Sequence, residues 1–141
     1  MKKLLARAGL VVIVILMMIQ FIPVDKSNPP ARSADVAPAQ VQELLRRACF
    51  DCHSHETVWP WYSQIAPVSL LIARDVKKGR KEVNFSTWDK YNEKRKARKL
   101  KEIAKQVEKG NMPLFYYLPL HPGAKLSPAE RELIVNWAKQ S

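Results

Sequence analysis

Residues 46–67 read RRACFDCHSHETVWPWYSQIAP, and the CFDCH inside this stretch holds both cysteines of the 141-residue chain. Three chemistries use such a pair. A redox dithiol of thioredoxin type needs the motif after a strand in a βαβ pattern, which this sequence does not offer, and a disulfide across CFDC closes too small a loop to stabilise much. A zinc site could draw on Cys49, Cys52, His53, His55 and the distant His121, but a structural zinc site usually sets its second ligand pair about 12 or more residues from the first. The third chemistry uses the whole pentapeptide. C-x-x-C-H is the attachment sequence for c-type haem: Cys49 and Cys52 form two thioethers, and the imidazole of His53 turns up to the iron. One covalently attached haem c per chain is therefore expected.

Iron that only passes electrons needs a sixth ligand. Met112, His55 and His121 are the candidates, since the other methionines lie in the first 18 residues. Met112 sits in EKGNMPLFYY, between the helix-stopping Gly110 and Pro113, in a loop suited to holding a thioether over the haem. An isolated methionine is more often core filling, but beside an attached haem the ligand reading is preferred. His55 lies too near His53 to reach the opposite face and is read as a solvated loop residue. His121 is the second choice and would give a bis-histidine iron of lower potential.

The elements that must position these residues divide the chain into a membrane segment at 1–23, a tether at 24–37 and a globule at 38–141. Lys2, Lys3 and Arg7 lead into a run from Ala8 to Ile22 in which Gln20 is the only polar side chain. As a helix, Leu4 to Ile22 would span about 28 Å, enough to cross a bilayer. The small residues Ala31 to Ala34 lie far downstream for signal-peptide cleavage, so a signal anchor is preferred, with cleavage as the alternative. Cations at the N-terminal side predict an N-terminus inside and the rest exported. VDKSNPPARSADVA reads as an extended linker.

Hydrophobic periodicity predicts an all-α globule of four helices. The first follows Pro38, with Val41, Leu44, Leu45 and Ala48 on one face, and runs into Cys49. A second is expected from Pro67 to Lys78, stopped by Gly79. A third starts near Ser86, where STWD resembles a capping box, and runs with interruption to Gly110. The last has Ser127 as N-cap, Pro128 at the first position, Glu130 as the capping partner and Leu133, Ile134 and Trp137 as its stripe.

Trp59, Trp61, Tyr62, Trp88, Tyr116 and Tyr117 are read first as core. Some of them could also bury a haem or donate N–H and O–H groups to its propionates. The chain carries 24 Lys and Arg against 13 Asp and Glu, a net charge of +11. That balance favours acidic partners; KYNEKRKARKLK is read first as a solvated helix face, with a docking or lipid-headgroup surface as the functional alternative. Export argues against nucleic acid.

Taken together, NPP at 28–30, RRACFDCHSHETVWPWYSQIAPVS at 46–69, NFSTW at 84–88, GNMPLFYYLPLHP at 110–122 and LSPAERELIVNWA at 126–138 resemble the small membrane-anchored haem-binding domain proteins of bacteria, which are related to class I cytochromes c. The resemblance covers nearly the whole chain and carries no established catalytic activity. It implies covalent haem at Cys49 and Cys52, His53 as proximal ligand and Met112 in the distal position. It also implies that Pro67, with Pro60 as alternative, supplies the carbonyl that accepts the Nδ1 proton of His53. The expected function is electron transfer with periplasmic redox proteins, from a single-pass position in the cytoplasmic membrane. A haem-based sensor or peroxidase-like enzyme with a displaceable sixth ligand is the alternative.

Overall fold

The structure, a computed structural model, describes residues 1–30 and 35–141. The helices are α1 (Lys2–Met18), α2 (Ala39–Ala48), α3 (Phe50–His53), α4 (Val68–Glu82), α5 (Glu93–Glu108) and α6 (Pro128–Gln140). Short 3₁₀ turns connect them, and no strand occurs among the described residues. The fold is all-α, as the periodicity predicts.

Helix α1 buries none of its residues and continues through a 3₁₀ turn, Ile19–Phe21. A helix apolar on every side has no face to give to a core. Lys2–Phe21 is long and apolar enough to cross a membrane.

The core lies among α2, α5 and α6. Val41, Leu44, Leu45 and Ala48 of α2, Leu100, Ala104 and Val107 of α5, and Ile134, Val135, Trp137 and Ala138 of α6 form one buried cluster. Leu45 and Ile134 are fully buried, and truncating either to Ala would cost about 2–5 kcal/mol. Phe50 stacks on Phe85 with ring centroids 5.1 Å apart, and Phe85, Trp88 and Tyr91 follow in series. The capping box at α6 is present: Glu130 N–H donates to Ser127 Oγ at 3.3 Å, and Ser127 N–H donates to Glu130 Oε2 at 2.7 Å.

Three boundaries differ from expectation. Gly79 does not stop α4, which runs on to Glu82; the residue is glycine because another chain segment presses on it there. The third helix has the interruption expected of it, as a 3₁₀ segment Phe85–Lys90 followed by α5, but it starts on different caps, Asn84 and then Asn92, where Ser86 was expected. Each asparagine side chain accepts a first-turn N–H, from Ser86 and Arg95, so two caps compete within nine residues and the helix restarts. The described part of the 24–37 segment is extended but docked on the globule. Arg80 donates to Ser27 O at 2.8 Å and to Asn28 Oδ1 at 2.7 Å, and Asn28 Nδ2 donates to Thr57 O at 2.8 Å. The alternative cleavage site at Ala31–Ala34 lies outside the described residues.

Candidate functional site

Helix α2 delivers Cys49 directly, its N–H donating to Leu45 O at 2.8 Å. Backbone φ/ψ of −128°/−33° at Cys49 breaks the helix there and starts α3. The N–H groups of Cys52 and His53 both donate to Cys49 O, at 3.2 and 2.9 Å. CFDCH is therefore one helical turn in which positions i, i+3 and i+4 share a face. Phe50, the residue between, roots the turn through its stack on Phe85. Both cysteines are free thiols. Burial pushes Cys49 up to about 12, with Cys52 beside it contributing; burial and the carboxylates of Asp51 and Asp75 do the same to Cys52. At neutral pH both are uncharged S–H groups.

His53 Nδ1 lies 2.9 Å from Gly79 O and 3.1 Å from Val83 O. Two carbonyl acceptors fix the proton on Nδ1, which leaves Nε2 with its lone pair available to a metal. Burial holds the imidazolium below its ordinary value, against the opposing pull of the Val83 and Gly79 carbonyls, so the ring is neutral at pH 7. This arrangement corrects the expectation for Pro67. Pro67 is the exposed N-cap of α4, and its carbonyl accepts Leu71 N–H at 3.3 Å; it is the far end of the same helix that reaches His53. Pro60 O is likewise taken by Ser63.

Gly79 is the residue that sequence reasoning missed. A Cβ there would sit 2.4 Å from Cys52 O and 3.1 Å from Cys52 Cβ, so only glycine lets α4 lie against the CFDCH turn and offer its carbonyl. The available signal was a glycine inside an otherwise amphipathic helix.

The other predicted residues occupy two neighbourhoods. Trp88 belongs to the core, whereas Tyr62, Tyr117 and His121 form a cluster joined to the CFDCH turn. Tyr117 Oη donates to Asp51 Oδ2 at 2.6 Å, and its ring stacks on His121 at 3.8 Å between centroids. Burial, then Asp51, raises Tyr117 far above the ordinary tyrosine value. His121 lies 3.2 Å from Tyr62 Oη through Nε2 and 3.1 Å from Tyr117 O through Nδ1. Trp61 packs edge-on against Tyr62 but is itself 76% exposed, and Tyr116 Oη donates to Asp75. His55 lies in a loop as expected but is half-buried and engaged there: Nε2 meets Asn84 Nδ2 at 2.8 Å, and its N–H donates to Ser86 Oγ.

Met112 is half-buried and held by its backbone. Gly110, at φ +72°, ends α5 with N–H bonds from Gly110 to Val107 O and from Asn111 to Gln106 O, the Schellman pattern. Met112 N–H donates to Gln106 O, and Arg131 Nη1 donates to Met112 O and Val107 O, both at 3.2 Å. None of these bonds runs to the CFDCH turn.

Among the described residues no three His, Cys, Asp or Glu side chains gather as a metal site, so the zinc reading lacks its tetrahedron. The residues do fit a haem. His53 Nε2 has no hydrogen-bond partner while Nδ1 is anchored, and two uncharged thiols share its turn; Trp59 Nε1, six residues on in the chain, is with Gln42 Nε2 one of two buried side-chain donors without an acceptor among the described residues. A buried N–H left unpaired is costly, and a carboxylate such as a haem propionate would satisfy it.

An all-α domain with a single C-x-x-C-H turn backed by a carbonyl-anchored histidine defines a haem-binding class. Consistent with that, the profile of the haem-binding domain family matches residues 14–140, and the chain belongs to this family. No curated protein and no solved structure matches the chain.

Proposed function

We propose that the chain is a membrane-anchored c-type cytochrome of the bacterial cytoplasmic membrane, with its N-terminus inside and its domain in the periplasm. Cys49 and Cys52 attach one haem, His53 and Met112 ligate the iron, and single electrons pass to and from redox proteins with acidic docking surfaces. The observation that carries this reading is the His53 geometry: Nδ1 held by two carbonyls, Nε2 unengaged, and two thiols on the same turn. The bound haem supplies a one-electron iron couple.

The remaining work falls to the chain. Gly79 and Val83 carbonyls keep His53 in one tautomer and orientation and raise its basicity as a ligand. Arg131 and the α5 terminus hold the Met112 loop. His121 is the weaker candidate because Tyr62 and Tyr117 already occupy both of its nitrogens. A thioether favours reduced iron and closes the sixth position.

Replacing Met112 with Ala tests the assignment. The oxidised variant should lose the weak sulfur-to-iron charge-transfer band at the red edge of the visible spectrum, show a lower potential and bind carbon monoxide. His121→Ala should leave all three unchanged. Free carbon monoxide binding by the native protein would instead favour a sensor or peroxidase-like enzyme.

A further inference from the structure

Gln20 is the only polar side chain between Ala8 and Ile22, and it is not idle at the end of an apolar helix. Its carboxamide pairs twice with one backbone unit of the globule: Nε2 donates to Ala66 O and Oε1 accepts from Ala66 N–H, each at 3.0 Å. The following residues leave little slack. Lys26 Nζ reaches Gln64 Oε1, Ser27 and Asn28 are held by Arg80, and Asn28 also grips Thr57. The globule is thus joined to the end of α1 by specific bonds as well as by the chain.

Beside Ala66 the surface is apolar. Trp61 is 76% exposed, Ile65 49% and Val68 39%, and Phe21 at the adjoining end of the membrane helix is 82% exposed. We propose that Gln20 latches the haem-binding domain to the outer end of α1, and that Trp61, Ile65 and Val68 thereby rest in the phospholipid interface. The proposal rests on the reading of α1 as a membrane anchor. A residue one hydrogen bond from the end of a spanning helix lies at the level where that helix leaves the hydrocarbon. Indole rings favour this level, with an apolar body in the acyl boundary and N–H among headgroups. Lys26 adds a cation suited to lipid phosphate. The bidentate pair also satisfies the Ala66 N–H and C=O, which would otherwise approach lipid unpaired.

The test uses the full-length, haem-loaded protein in phospholipid vesicles, with a nitroxide on Ile65→Cys and, separately, on Lys101→Cys in α5; the same preparation without an added cysteine gives the background. Relaxation by oxygen, which concentrates in lipid, is compared with relaxation by a water-soluble nickel chelate. The oxygen-to-nickel ratio should be severalfold higher at position 65 than at 101. Adding Gln20→Ala should bring the value at 65 towards that at 101 while leaving the haem spectrum unchanged. Equal ratios at the two positions in protein that floats with vesicles would overturn the lipid contact but leave the anchor standing. Low access of both reagents at 65 would mean cover by haem or protein, and would overturn it too. A high ratio indifferent to Gln20→Ala would overturn the latch. Failure to float with vesicles would remove the anchor reading and the proposal together.

Discussion

Gly79 sits where α4 presses on the CFDCH turn, and a methyl group there would meet Cys52 O at 2.4 Å. Because the obstacle is backbone and cannot rotate away, Gly79→Ala should push α4 outward and weaken both Nδ1 bonds of His53, at about 1–3 kcal/mol. Denaturant unfolding of the haem-loaded protein measures this. Gly123→Ala, with nothing within 4 Å of its Cβ, is the control that should leave the midpoint in place, and equal midpoints for the two variants would contradict the account. Residue identities on one turn are legible in a sequence because spacing alone brings Cys49, Cys52 and His53 together. The acceptors of His53 were not legible. They are carbonyls 26 and 30 positions further on, and no side chain marks a carbonyl, so the expectation settled on a proline at the wrong end of α4.

Helices α2 and α6 could be read because each carries its own start signal and apolar stripe. Ser127→Ala should cost about 1 kcal/mol by removing the N-cap of α6. The other half of the box titrates: Ser127 N–H first, then its hydroxyl and the Arg47 guanidinium, hold the Glu130 carboxyl below its ordinary 4.5. A folded value below the unfolded one means that the fold binds fewer protons. The stabilisation is complete above the unfolded value and is lost as pH falls through the folded value. In Glu130→Gln, thermal midpoints from about pH 5 to pH 3 should therefore fall less steeply than in the parent, and parallel slopes would argue against the box. The interruption between 84 and 93 was legible but its caps were not, because Asn84 and Asn92 compete with Ser86, and capping strength depends on which side chain meets an N–H. Arg80 illustrates a link no periodicity predicts, joining Ser54 O, Thr57 Oγ1, Ser27 O and Asn28 Oδ1. Arg80→Ala should free residues 25–30 to added protease and cost about 1.5–3 kcal/mol, a charged hydrogen-bond donor being lost from a part-buried site.

Across the whole molecule, one apolar helix leads into a compact helical domain that sets two thiols and an imidazole on a single turn. The division into an exposed N-terminal helix and a helical globule was visible in the sequence, since an apolar run without a polar face cannot join a small core. How the segment between them docks was not, because Asn28, Arg80 and Gln20 act through distant backbone atoms. Covalent attachment of haem to the CFDCH turn, as proposed above, is open to a test on the intact chain. The full-length protein is expressed with the cytochrome c maturation machinery, denatured, and examined by gel haem stain and intact mass. The parent should retain haem colour and the mass of one haem after denaturation. Cys49→Ala and Cys52→Ala should each lose the doubly bonded product, while His53→Ala should lack the proximal ligand. A parent chain that runs unstained, with the mass of polypeptide alone, would rule out covalent haem on this turn.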